Sequence, residues 1–157
     1  MRNESRMIGF RAEQLCIMHF TRSDKFKLVA NYNGGPLMGS DPYLDLVFDV
    51  RDGAFIKGYN LGVTLKATKG PEGIARMLSK FRTEPYRKIF YPVVLVVFDV
   101  TSDKGYYSWI NLPLSGRKGT TAKAITPDSV IPFNSKALND IMNKVSLFYY
   151  DSNTGWT

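Results

Sequence analysis

Cysteine and histidine are nearly absent from this chain: Cys16 and His19 are its only representatives. A lone cysteine excludes an intrachain disulfide and any cysteine-cluster zinc site, and it fits a reducing cytoplasm, the location expected for this protein. A lone histidine excludes a two-histidine metal site, and no G-x-S-x-G nucleophile elbow is present. Long apolar runs are missing too. The longest, from Pro92 to Phe98, is far too short to span a bilayer, so no membrane partner is expected. The polar start Met1 to Arg6 leads into no apolar segment of the signal-peptide kind. Acidic residues are in short supply: 14 against 21 Lys and Arg, a net charge of +7. That surplus favours polyanionic partners, nucleic acid above all.

At 157 residues with 44% hydrophobic content, the chain is long enough for one good core, burying roughly 70% of the surface its unfolded form exposes. A single domain over 1–157 is expected, its core at about 7–150, without repeat or linker.

Local patterns place the elements. Met7 to Phe20 reads as a helix with Ile8, Ala12, Leu15 and His19 on one stripe, capped by Asn3 or Ser5. Phe26 to Asn31 reads as a short strand. Tyr43 to Val50 alternates: Leu44, Leu46, Phe48 and Val50 on one face, Asp45, Val47 and Asp49 on the other. Arg51-Asp52-Gly53 signals a turn into an antiparallel return strand. That strand carries Val63, Leu65 and Ala67 on one face, Thr64 and Lys66 on the other, with irregularity before it at Gly58 and Gly62. Pro71 to Phe81 predicts a helix, the Val-rich run Pro92 to Asp99 a buried central strand, and Tyr106 to Ile110 its partner beyond a turn at Ser102 to Gly105. A last helix is expected from Asn134 or Ser135, followed by a loose tail from Asp151. The order α-β-β-β-α-β-β-α predicts an α/β fold, a mixed sheet flanked by helices.

Two chemical features stand out. Asp45 and Lys66, on neighbouring strands with side chains expected on one face, suit a site where a carboxylate holds Mg²⁺ and a lysine positions water and phosphate. Asp49, expected on the same face, is a further candidate metal ligand. Basic residues mixed with aromatics, Arg82, Arg87 and Lys88 around Tyr86 to Tyr91, suit a phosphate backbone with a stacked base. Arg117 and Lys118, with Lys123 close by, form a second basic cluster able to grip phosphates.

The series Gly9-Phe10-Arg11-Ala12-Glu13 on a helix, Asp45 on a strand and Thr64-x-Lys66 on the next resembles the PD-(D/E)xK (restriction-endonuclease-like) nuclease superfamily. Its members show a G-x-x-x-E helix, an Asp strand and an (E/Q)-x-K strand. The second half, Tyr91 to Val100 and then Lys104 to Ile110, is similar to a prokaryotic domain-of-unknown-function branch that recurs near restriction and defence systems. The resemblance spans roughly Ile8 to Tyr150. It implies a restriction-endonuclease-like fold and metal-dependent hydrolysis of phosphodiester bonds in DNA rather than RNA, with Mg²⁺ or Mn²⁺ as cofactor. It implies Glu13 and Asp45 as metal-holding carboxylates, Lys66 as the catalytic lysine, and Thr64 where the pattern has Glu or Gln. Superfamily members often work as homodimers. Thr64 brings in the alternative: an inactive nuclease-fold protein that binds nucleic acid or serves as a subunit of a larger complex.

Overall fold

Strand β4 (Val93–Asp99) is buried at every position. Its alternate residues feed two cores: Val94, Val96 and Phe98 on one face, Val93, Leu95 and Val97 on the other. A strand apolar on both faces needs covering on both, and helices supply it. The structure, a computed structural model, describes residues 2–32, 44–52, 55–113 and 120–154. Within them α1 (Arg2–Thr21), β1 (Phe26–Asn31), β2 (Leu46–Asp52), β3 (Phe55–Thr68) and α2 (Gly70–Lys80) precede β4; β5 (Lys104–Leu112), β6 (Thr120–Thr121), β7 (Ile131–Pro132) and α3 (Ser135–Thr154) follow. The sheet order is β1-β2-β3-β4-β5-β6, with β7 also on the outer edge of β5. The architecture is α/β, a mixed open sheet flanked by three helices.

β3 and β4 pair in parallel, from Gly62 opposite Val93 to Thr68 opposite Asp99; the other ladders are antiparallel. A parallel pair needs a crossover, here α2. Gly70 opens it at φ +77°, a left-handed conformation that glycine adopts without a Cβ penalty. Its N–H donates to Asp99 Oδ1 at 2.9 Å. Asp99 also accepts from the Thr101 hydroxyl and N–H; these bonds, the hydroxyl first, hold its carboxyl below the usual range. One carboxylate thus joins the start of α2 to the turn after β4.

α1 and α3 cover one face. Ala12, Cys16 and Phe20 of α1 are fully buried there with Leu138, Ile141 and Val145 of α3. The buried stripe of α1 runs through Cys16 and Phe20, one position on from the expected Leu15 and His19, which are half-buried flanks. α2 and a 3₁₀ turn (Glu84–Lys88) cover the other face through Leu78 and Tyr86.

Helix α1 starts at Arg2, ahead of both expected caps. α3 takes its cap from Asn134, whose Oδ1 accepts the Ala137 N–H at 2.9 Å. Contrary to the loose tail expected from Asp151, α3 continues to Thr154. β3 is twice the length its alternation suggested, because it continues through Gly58, at φ +75°, past a register shift between Asp49 and Arg51. β6 and β7 went unanticipated, since two residues carry no periodicity. No helix among the described residues is long and apolar enough to cross a membrane.

Candidate functional site

β2 pairs with β3 from Leu46 opposite Val63, yet β3 runs on to Thr68. Asp45 sits at this departure point. Its N–H donates to the Val63 carbonyl at 2.9 Å, its own carbonyl accepts from Tyr32 N–H at 2.9 Å, and its Oδ2 accepts the Leu65 N–H at 2.7 Å. The carboxylate takes the place of a strand that has left the ladder. Gly62 makes the departure possible. A Cβ there would lie 2.9 Å from Leu44 Cδ2, so the missing side chain is the space Leu44 fills on the α2 face.

That packing corrects the expected alternation. Leu44 lies in the α2-face core while Leu46, Phe48 and Val50 lie in the α1-face core, so the face changes across Asp45. Asp45 opens into a cleft of about 400 Å³ under α1, lined also by Arg6, Phe10, Glu13, Leu65 and Ala67. Glu13 comes from α1, half-buried, its Oε1 accepting from Asn31 Nδ2 at 3.0 Å. Helix and strand thus bring two carboxylates, 32 positions apart in the numbering, to one cleft.

Burial pushes the Asp45 carboxyl above its usual range; the Leu65 N–H and the Lys66 ammonium oppose the rise, and the Glu13 charge adds to it. Cys16, buried nearby, has its thiol pushed well up by burial and then by the charges of Asp45 and Glu13. Asp45 binds its proton more tightly in the folded state. Its contribution to stability therefore falls as pH rises from the ordinary carboxylate range through the raised folded value. Asp45→Asn, which keeps an acceptor for Leu65, is expected to have a higher Tm than wild type at neutral pH. The difference should shrink as pH drops through the carboxylate range. Paired thermal melts across pH check this, and a less stable Asn variant at neutral pH would count against it.

Two hard oxygen donors crowding one partly buried cleft fit a divalent cation, which relieves both desolvation and mutual repulsion. Mg²⁺ commonly takes one or two carboxylates and completes its shell with water and substrate phosphate. The set is minimal: no cluster of three or more Asp, Glu, His or Cys suited to a metal occurs among the described residues.

Lys66 does not share the face of this cleft, contrary to expectation. β3 alternates strictly: Leu65 and Ala67 pack toward α1, while Lys66 lines a pocket under α2 with Phe81 and Tyr86. The break at Asp45 puts the two residues on opposite sides of one strand, and Lys66 acts on the Asp45 carboxylate through its charge. Thr64 points the same way as Lys66. It is buried, and its hydroxyl donates to Tyr86 Oη at 2.9 Å. Thr64→Val is expected to cost about 1 kcal/mol through this bond. Urea unfolding reads the difference, and a variant as stable as wild type would show that the bond contributes nothing net.

Asp49 stands further along β2, opposite Asn60, and is absent from the cleft lining. Its carboxylate accepts the Tyr59 N–H at 2.8 Å. Burial raises its pKa against the bonds from Tyr59, Gly58 and Val50 N–H groups. It stabilises the bend at Gly58. Arg82 borders the α2-face pocket and reaches Glu84 at 3.5 Å. Arg87 and Lys88 close the 3₁₀ turn that walls that pocket, both exposed. Arg117 and Lys118 lie outside the described residues. Sequence reasoning missed Arg6 in the cleft and Lys80 in the pocket. The run Lys80-Phe81-Arg82 held the signal for the latter. No family model matches the chain, and no curated protein matches it.

Proposed function

We propose that this protein is a divalent-cation-dependent nuclease of the restriction-endonuclease-like kind, acting on DNA. The observation that carries the reading is the meeting of Glu13 and Asp45 in one cleft, at the point where β2 leaves β3. When bound, Mg²⁺ or Mn²⁺ would supply charge stabilisation for phosphoryl oxygens and a more acidic water. Glu13 and Asp45 would hold the cation, Asp45 itself fixed by the Leu65 N–H. Arg6 at the cleft mouth would take a neighbouring phosphate oxygen. Lys66, on the other side of β3, would act on this site only through the effect of its charge on Asp45. With two carboxylates, cation affinity is expected to be low until substrate phosphate joins the shell.

The test is incubation of supercoiled plasmid and single-stranded DNA with Mg²⁺ or Mn²⁺, and with EDTA. Metal-dependent nicking supports the reading. A second reading is favoured by the Thr64–Tyr86 hydrogen bond, which leaves position 64 contributing nothing to the cation: a non-cleaving protein that binds nucleic acid or completes a larger complex. Salt-dependent DNA binding without nicking in either metal supports that one.

A further inference from the structure

On the far side of β3 from the carboxylates, a pocket of about 640 Å³ opens between α2 and the 3₁₀ turn. Its size is that of a small-molecule site. Two features of its lining point to one ligand class. Phe81 is half-exposed, and its ring is backed by Tyr86, with centroids 5.8 Å apart at 28°. This is a flat apolar surface, firmly held, because Tyr86 is buried and bonded to Thr64. Lys66 and Lys80 border the surface, both exposed. Neither makes an ion pair among the described residues, whereas Arg82 beside them is partnered by Glu84. A flat aromatic face beside two ammonium groups that form no ion pair among the described residues suits a planar ring that carries a phosphate.

We propose that this pocket takes an unpaired nucleotide of the bound strand, its base stacked on Phe81 and its phosphate at Lys66 and Lys80. Stacking is tolerant of base identity and needs a base out of its duplex. The pocket and the carboxylate cleft flank the same stretch of β3, Leu65 to Ala67. A strand held in the pocket therefore continues toward the cleft past Lys66. The proposal rests on the nucleic-acid reading above and deepens it, because it assigns strand recognition to a surface separate from the cation-holding groups.

The test is fluorescence anisotropy of a short fluorescein-labelled oligothymidylate in EDTA, so that neither cleavage nor metal contributes. Lys80→Ala and Phe81→Leu are each expected to weaken binding by about 5- to 10-fold. Lys80→Ala should also lower the salt slope by about 0.7, the value for one phosphate contact on a single strand. Lys136→Ala, which removes an exposed charge on α3 across the sheet, should stay within about twofold of wild type. A blunt duplex of equal length should compete less well than unlabelled oligothymidylate. Lys80 is exposed and Phe81→Leu keeps an apolar side chain, so both variants are expected to fold, which thermal melts confirm. If wild type binds and both pocket variants bind equally well, the pocket proposal is overturned while metal-dependent nicking still decides the nuclease reading. If the duplex competes as well as the single strand, the pocket does not select an unpaired base and the proposal falls. If wild type binds neither probe at low salt, the nucleic-acid reading falls and takes this proposal with it.

Discussion

On the nuclease reading proposed above, Asp45→Asn is expected to retain no more than about a thousandth of the Mg²⁺-supported cleavage rate of wild type, a loss of about 4 kcal/mol in transition-state stabilisation. Asn preserves the shape of Asp45 and the acceptor for the Leu65 N–H, so the bend at the head of β2 survives. What disappears is the negative charge in a cleft where only Glu13 remains to attract a cation. Glu13→Gln should lose a comparable amount. Lys66→Ala should lose less, about tenfold, because Lys66 reaches the site only through its charge, and should do so without abolishing cation binding. Isothermal titration with Mn²⁺ alongside single-turnover cleavage separates the cases. The carboxylate variants lose both readouts, and the lysine variant loses only the rate. A fully active Asp45→Asn protein would remove the cleft from the mechanism. The same substitution is expected to raise Tm near neutral pH, because burial and Glu13 disfavour the Asp45 charge. Lower activity with higher stability from one change is the behaviour a functional carboxylate would show.

How far the sequence could be read depended on whether a feature was local. β1 lies over Phe26–Asn31 as its pattern predicts. α2 falls within a residue of the expected start and end. The Val-rich run became the buried central strand, because apolar content on both faces has few other solutions in an α/β sheet. The alternation of β3 was legible as well: Thr64 and Lys66 do lie opposite Leu65 and Ala67. The orientation of Asp45 was not. Period-two alternation assumes an unbroken ladder, and this one ends where Gly62 leaves a gap that Leu44 fills from the segment leading into β2. Nothing near Asp45 in sequence announces the contact of Leu44 with a residue 18 positions away. The α2-face pocket was not legible as a pocket. Arg82 and Tyr86 drew attention to the segment, but the pocket wall pairs Phe81 with Tyr86 across the end of a helix, and the buried Thr64–Tyr86 bond that holds Tyr86 is a long-range contact.

Phe20→Ala is expected to destabilise the protein by about 3–5 kcal/mol, the range for removing a fully buried aromatic ring. For a chain of this length that lowers Tm by roughly 6–20 °C. Phe20 is fully buried. Its ring stacks on Phe48 at 4.3 Å, meets Phe26 edge-on at 5.2 Å and lies 5.0 Å from Phe133. It joins α1 to β1, to β2 and to the segment entering α3. Aromatic pairs of this kind add stabilisation beyond the area they bury, and the neighbouring rings are too large to close the space a methyl group would leave. The consequence reaches the carboxylates. Ala12, Cys16 and Phe20 recur every four residues and form the buried stripe that docks α1, and Glu13 follows directly on Ala12. Loosening the end of the stripe frees the helix to shift, and Glu13 with it. Phe20→Leu, which fills most of the volume, is expected to cost about 1–2 kcal/mol and to keep cation binding. Urea unfolding gives the stability difference, and Mn²⁺ titration below the unfolding transition gives the displacement of Glu13. If Phe20→Ala loses its stability yet binds Mn²⁺ with wild-type affinity, Glu13 is positioned by its bond to Asn31 rather than by the docking of α1.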